Sequence, residues 1–309
     1  MLIKKGSKSL EEKIKELKKK RNAVILVHNY QLPEVQDIAD LRGDSLELSR
    51  AAAKTDAKVI VFCGVHFMAE TASILCPEKK VLMPDINSDC PMAGMITAQD
   101  LIKLKKKHPK AVVVGYVNTS AEVKAEIDVC CTSTNAVSVV NAIIKGGKDE
   151  IIFVPDKYLA DFVERKTGKS LIKWNGVCPT HVKISPEDIK RERKFHPFAK
   201  VIVHPECLPS VIALADQALS TSKMCQFAKE TEAKEIIIGT EVGLIYRLKL
   251  DNPDKEFYPA SEAAVCPNMK RTTQEKIVWA LEELKEEVRV SDRIRSRARK
   301  SIDKMLQIV

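Results

Sequence analysis

The chain repeats itself every 88 residues. Cys90-Pro91, Cys178-Pro179 and Cys266-Pro267 are spaced by 178 − 90 = 88 and 266 − 178 = 88. Nine of 309 residues are cysteine, so two further matches at fixed offsets have odds of about (9/309)², near one in a thousand. The same step carries Ala23-Val-Ile-Leu-Val-His28 onto Ala111-Val-Val-Val-Gly-Tyr116 and Ala199-Lys-Val-Ile-Val-His204. It carries Tyr30 onto Asn118 and Glu206, and Ser45 onto Ser133 and Thr221. Self-similarity at a fixed period marks a repeated structural unit, so the chain reads as three copies of one domain-sized unit.

Each unit has further apolar runs, at 58–62, 150–154 and 235–239, and at 81–83, 171–174 and 257–258. The middle unit slips by about three residues, as a loop insertion would. These runs are continuous rather than alternating, the pattern of parallel strands buried on both faces. Helical stretches at 45–54, 135–144 and 222–231 separate them, which implies βαβ units. The predicted architecture is α/β, with three pseudo-threefold-related α/β/α sandwich domains whose small parallel sheets surround a central active site. The domains are expected at 22–98, 99–185 and 186–270. The ends read as lying outside the repeats: a charged helix over 8–21 and helices within 271–309, packed with the first domain. Their charge runs read as solvated faces covering a domain edge.

Composition narrows the function. No run of 18 apolar residues exists, so no transmembrane helix is expected. The N-terminus lacks the apolar segment of a signal peptide, and the expected location is cytoplasmic. Nine cysteines there are reduced thiols or metal ligands rather than disulfides. A net charge of +9 favours anionic partners. Aromatics are only 5%, too few for a stacking groove that holds nucleic acid, so small anionic metabolites fit better.

Ligands of parallel α/β sheets bind beyond the carboxyl ends of the strands. His28, Tyr116 and His204 end the first strand of each unit, and Tyr30, Asn118 and Glu206 follow in the loop. Ser45, Ser133 and Thr221 stand near the next helix start, where a hydroxyl can cap the helix and free N–H groups bind anions. Cys90, Cys178 and Cys266 form no CxxC pair, which argues against a closed four-ligand zinc site. Three thiolates suit an iron–sulfur cluster whose fourth iron stays open as a Lewis acid for loss of water. His181, three residues after Cys178, is a candidate to touch the metal centre itself or one of its ligands. His66, His108 and His196 are set apart from this lattice; the last two precede prolines and read as surface loop residues. The other six cysteines have no partner at 88 residues and read as bystanders.

These residues resemble the quinolinate synthase family, the A protein of NAD biosynthesis in its type with a three-cysteine 4Fe-4S cluster. The resemblance is carried by His28-Asn29-Tyr30, Gly43-Asp44-Ser45, Gly64-Val65-His66-Phe67-Met68-Ala69-Glu70-Thr71, Tyr116-Val117-Asn118-Thr119, Cys178-Pro179-Thr180-His181, His204-Pro205-Glu206-Cys207 and Cys266-Pro267-Asn268-Met269-Lys270. It implies condensation of iminoaspartate with dihydroxyacetone phosphate to quinolinate, water and phosphate, and a functional link to an iminoaspartate-producing enzyme. It implies that Cys90, Cys178 and Cys266 hold the cluster. Tyr30 and Glu206 would be the acid–base pair, assisted by His28. His28, Ser45, Tyr116, Asn118, Ser133, His204, Glu206 and Thr221 would bind substrate. Met68 and Glu70 match the family string but have no chemical role, and domain packing is the ordinary explanation for them. Two competing classes make different predictions: a non-catalytic scaffold would close its metal site with four ligands, and a nucleic-acid binder would bind in a strongly salt-dependent way through its basic tail.

Overall fold

The computed structural model describes residues 9–308; Lys8 and Val309, at the two ends of the expected terminal helices, lie outside them. The first unit runs α1 (Leu10–Arg21), β1 (Ala23–His28), α2 (Pro33–Asp37), β2 (Leu41–Gly43), α3 (Ser45–Lys54), β3 (Val59–Cys63), α4 (His66–Leu75) and β4 (Lys80–Leu82). The second runs α5 (Ala98–Lys107), β5 (Val112–Tyr116), α6 (Ala121–Lys124), β6 (Val129–Cys131), α7 (Ala136–Lys145), β7 (Ile151–Val154), α8 (Lys157–Thr167) and β8 (Ile172–Lys173). The third runs α9 (Pro186–Phe195), β9 (Lys200–Val203), α10 (Pro209–Ile212), β10 (Gln217–Ala218), α11 (Thr221–Glu230), β11 (Glu235–Gly239), α12 (Gly243–Asp251) and β12 (Glu256–Pro259). Helices α13 (Gln274–Glu283) and α14 (Asp292–Gln307) follow. The result is three four-stranded parallel sheets with one order, β2-β1-β3-β4, β6-β5-β7-β8 and β10-β9-β11-β12.

Each sheet therefore has one strand more than the apolar runs suggest. The extra strands β2, β6 and β10 are edge strands of two or three residues, too short to show a period. An aspartate makes such short pairing sufficient. The carboxylates of Asp40, Asp128 and Asp216 accept the backbone N–H of Ile25, Val113 and Val201 at 2.7, 2.8 and 2.8 Å. A donor of the central strand that a longer edge strand would pair is thus satisfied by a side chain. Both the aspartates and the N–H groups step by 88.

Two of the terminal helices, α1 and α13, keep the 88-residue register, contrary to the expectation that they stand outside the repeats, whereas α14 does not. Helices α1, α5, α9 and α13 begin at 10, 98, 186 and 274, again steps of 88, after the N-caps Ser9, Thr97, Ser185 and Thr273. Their sequences are charged and poorly alike, so the register is visible only through the caps. Helix α13 packs beside α1 on the outer face of the first sheet, where Ile14 and Ile277 meet Ile25, Val27, Val59 and Val61. Leu26, Ile60 and Phe62, on the opposite face, join the main core, so alternate residues of one apolar run feed two layers.

Helix α14 seals the seam between the first two units. It packs on α4, α6 and β6. Ser301 Oγ donates to the Lys124 carbonyl at 3.0 Å, Arg299 to the Leu75 carbonyl at 2.7 Å, and Arg297 pairs with Glu126 at 2.7 Å. Arg297 and Arg299 of the basic run thus hold the seam between the first two units.

Candidate active site

One cavity of about 200 Å³ lies where the three units meet, an order of magnitude more than the ~10–15 Å³ that holds a single water. All thirteen residues predicted for the site line it: His28, Tyr30, Ser45, Cys90, Tyr116, Asn118, Ser133, Cys178, His181, His204, Glu206, Thr221 and Cys266.

The starts of α3, α7 and α11 point at this cavity, but the capping differs from expectation. Asp44 caps α3 by accepting from Leu46 and Glu47 N–H, both at 2.9 Å, and Ser220 caps α11. Asn135 precedes α7, and its Oδ1 accepts from Thr132 N–H at 2.9 Å. Ser45, Ser133 and Thr221 are not the caps, which leaves their hydroxyls to face the cavity. Thr134 ties the three helix starts together, its Oγ1 lying 2.7 Å from Asp44 Oδ2 and 2.8 Å from Ser220 Oγ.

A continuous hydrogen-bonded chain crosses the cavity wall. Glu206 Oε2 lies 2.8 Å from His181 Nδ1, His181 Nε2 lies 2.8 Å from Thr240 Oγ1, and Thr240 Oγ1 lies 2.6 Å from the Tyr30 hydroxyl. Tyr116 OH donates to Glu206 Oε1 at 2.5 Å. His181 stacks on His204 with ring centroids 4.5 Å apart, and His204 Nε2 lies 3.2 Å from Ser133 Oγ. His181 is therefore the central link of the chain. Thr240, which sequence reasoning missed, is the hydroxyl between it and Tyr30.

Burial sets the charges. Burial alone would raise Glu206, but His204 and His181 beside it and the hydrogen bonds from His181 and Tyr116 hold its carboxyl well below the usual range. It is an ionised carboxylate at neutral pH. Burial lowers His28 to about 4 and His204 to about 3, so both rings are neutral there. Burial and then the charge of Glu206 push the Tyr30 and Tyr116 phenols well above their ordinary value, so both keep their protons. Asn118 Oδ1 is buried with no partner, an acceptor facing a cavity that has a donor to offer only when a ligand enters.

The three Cys-Pro turns are built alike. A 3₁₀ turn follows each, at Ala93–Met95, His181–Lys183 and Met269–Arg271. The backbone N–H groups of Ala93 and Met92 counter part of the effect of burial at Cys90 Sγ, as those of His181 and Thr180 do at Cys178 and those of Met269 and Asn268 at Cys266. Proline explains the motif: it has no N–H, and its fixed φ starts the turn that aims the next two amides back at sulfur. Burial raises the Cys90 thiol to about 12 and pushes Cys178 and Cys266 up as well. These three are partly exposed, whereas the other six cysteines are buried and none of the six lines the cavity. The donor set fits a soft metal centre: three thiols from three units, each with two amides ready to stabilise the thiolate. Cys178, His181 and Glu206 also place ligand atoms within 4.8 Å of one another. His181 Nδ1 faces both of the others there, 2.8 Å from Glu206 Oε2 and 3.1 Å from Cys178 Sγ.

The remaining histidines lie elsewhere. His66 begins α4, with Nδ1 3.8 Å from Glu70. His108 and His196 do obey the 88-residue step after all (196 − 108 = 88). They end α5 and α9, with Nδ1 2.6 Å from Glu150 and 3.3 Å from Glu235. Met68 lines the cavity, and Glu70 Oε2 accepts the Ala121 N–H at 3.0 Å across the seam to the second unit.

The sequence has close relatives. A family model described as quinolinate synthetase A protein matches residues 12–307. A protein named quinolinate synthase from Dehalococcoides mccartyi (strain CBDB1) is 55% identical over 300 residues, covering 97% of this chain and 98% of the relative. A quinolinate synthase of Thermodesulfovibrio yellowstonii is 55% identical over 299 residues, covering 96% and 98%. Quinolinate synthase 1 of Methanosarcina acetivorans is 53% identical over 299 residues, covering 97% of each chain.

Proposed function

This chain belongs to the quinolinate synthetase A protein family, and from that premise we propose that it is a quinolinate synthase of NAD biosynthesis that condenses iminoaspartate with dihydroxyacetone phosphate, releasing water and phosphate. One observation carries the reading. Three equivalent thiols, each held under two backbone amides, converge on the cavity that also holds the Glu206–His181–Thr240–Tyr30 chain.

Cys90, Cys178 and Cys266 would hold a 4Fe-4S cluster; when bound, it supplies an open iron that acts as a Lewis acid in dehydration. The residues of the chain do the rest. Ser45, Ser133 and Thr221 present hydroxyls at three converging helix starts, where the amides and helix dipoles favour carboxylate and phosphate oxygens. Neutral His28 and His204 donate hydrogen bonds to those anions without fixing an ion pair. Asn118 Oδ1 accepts from an N–H or O–H of the substrate, and Tyr116 orients Glu206. Glu206, ionised, accepts a proton; Tyr30, held protonated, donates one; His181 and Thr240 connect the two through bonds short enough for transfer. The same reading places the domain boundaries near 98, 185 and 270, the enzyme in the cytoplasm, and an iminoaspartate-producing enzyme upstream of it.

Anaerobic purification tests this. The expected product is a brown protein with about four irons per chain that forms quinolinate from the two substrates. Cys90→Ser, Cys178→Ser and Cys266→Ser should each lose iron and activity. A colourless protein that binds one zinc and folds normally would refute the reading, and an active single variant would remove that cysteine from the ligand set.

A further inference from the structure

Glu241 and Lys270 take no part in the roles assigned above, yet they join two of the groups that do. Glu241 follows Thr240 at the end of β11 and is wholly buried, at 0% exposure. Its Oε1 accepts the backbone N–H of Cys266 at 3.1 Å, and its Oε2 accepts the N–H of Gly243 at 2.8 Å. Lys270 Nζ lies 2.9 Å from Oε1 and 3.2 Å from Oε2, and donates to the Tyr30 backbone carbonyl at 2.5 Å. We propose that Glu241 and Lys270 are positioning residues that fix the Tyr30 loop of the first unit against the Cys266 loop of the third. The proposal rests on the functional reading of Tyr30 and Cys266 given above.

Three further observations support it. Tyr30 is gripped twice from one strand end: its hydroxyl by Thr240, its carbonyl through Lys270 and Glu241. A Cβ on Gly243 would stand 2.6 Å from Lys270 Nζ, 2.8 Å from Glu241 Oε2 and 2.8 Å from the Tyr30 carbonyl oxygen. The knot thus occupies the space a side chain would take, and glycine is required there for that reason. The other units lack the device. Allowing the three-residue slip, Glu241 corresponds to Asp156 (241 − 88 + 3), whose Oδ2 is buried without a partner, and Lys270 corresponds to Val182 and Gly94.

The mechanics follow from the bonds. Two backbone amides and one ammonium hold the buried Glu241 carboxylate from three sides, which fixes its orientation. Lys270 then spans the two units. Loss of that span lets the Tyr30 loop shift relative to the Cys266 loop, and a displacement of about 1 Å costs roughly 100-fold in a positioned reaction.

The test compares Lys270→Met, Lys270→Arg, Gly243→Ala and Glu241→Ala with wild type after anaerobic reconstitution, reading iron content, the visible spectrum, kcat and KM. Lys270→Met should keep wild-type iron and spectrum while kcat falls about 10- to 100-fold with KM little changed, and Lys270→Arg should recover part of the loss. Glu241→Ala, which also frees the Cys266 N–H, should in addition lose iron faster on exposure to chelator. Should Lys270→Met fail to fold, Gly243→Ala, which keeps every charge, carries the same expectation for kcat. Wild-type kcat in Lys270→Met or Gly243→Ala overturns the inference, as does loss of iron from Lys270→Met in step with its activity. A wild-type protein without iron or quinolinate formation would sink the functional reading instead, so the two failures are told apart.

Discussion

Glu70 and Lys124 allow a quantitative test of how the first two units are held together. Glu70, on α4, is buried and caps the first turn of α6 through Ala121 N–H at 3.0 Å. Lys124, at the other end of α6, is wholly buried; it donates to the Thr119 carbonyl and stands 5.3 Å from the Phe67 ring centroid. Burial pushes the Glu70 carboxyl up and the Lys124 ammonium down, and each is partly offset by the charge of the other. Both shifts run toward the neutral form, so the cost of leaving water exceeds the mutual attraction. Glu70 keeps His66 Nδ1 at 3.8 Å, so removing one member leaves the other buried and only partly compensated, at about 1–3 kcal/mol. Glu70→Leu also orphans the Ala121 N–H, a further ~1–3 kcal/mol. Lys124→Met should therefore lose about 1–3 kcal/mol and Glu70→Leu somewhat more. The double variant Glu70→Leu/Lys124→Met removes both charges, keeps the orphaned Ala121 N–H and should return to within about 3 kcal/mol of wild type. The assay is urea unfolding of the iron-free protein, read as midpoint and slope, arranged as a double-mutant cycle. Single variants within about 1 kcal/mol of wild type, or a double variant as unstable as the sum of the singles, would refute this account of the seam.

Acid should destabilise the iron-free protein through His28 and His204. Their folded values lie near 4 and 3, against about 6.5 unfolded. The unfolded chain takes up these protons first, so stability is full above about pH 6.5 and is lost as pH falls toward the folded values. The slope reaches about 1.4 kcal/mol per pH unit for each histidine. In the double variant His28→Gln/His204→Gln the unfolding midpoint should vary less between pH 7 and pH 5, and an unchanged slope would show that these rings are not the source. Tyr30→Phe removes the 2.6 Å contact to Thr240 but no thiol. Iron content and visible spectrum should stay as in wild type while quinolinate formation slows by about 10²–10⁴; undiminished turnover would exclude Tyr30 from proton transfer.

The sequence shows the period because strands and site residues stay recognisable at 88-residue steps: the apolar runs fix the strands, and the polar strand ends fix the cavity. What stays hidden has physical causes. Strands β2, β6 and β10 are only two or three residues long, and an aspartate satisfies a donor of the strand beside each, so they are too short to show a pattern. Helices α1 and α13 share their start register with α5 and α9, but each buries only a narrow stripe, and their charged faces conceal the likeness. Thr240 and Glu241 follow a strand end as His28 and His204 do. Their unit-two counterparts are displaced by the slip, so no fixed offset points to them. Ser45, Ser133 and Thr221 are visible as hydroxyls near helix starts, yet only the coordinates show that neighbouring residues do the capping.

The paired amides under each cysteine sulfur divide the work between main chain and side chain. Peptide N–H groups are the same whatever residue carries them. The residues that supply them therefore differ between copies: Met92 and Ala93 in one copy, Thr180 and His181 in the next, Asn268 and Met269 in the third. The anionic demand at the three thiols is met by a component that mutation cannot remove, short of proline. One of those freed positions could thus become His181, the link between Glu206 and Thr240. A triplicated ancestor gains asymmetric chemistry in this way without giving up the symmetric support beneath it.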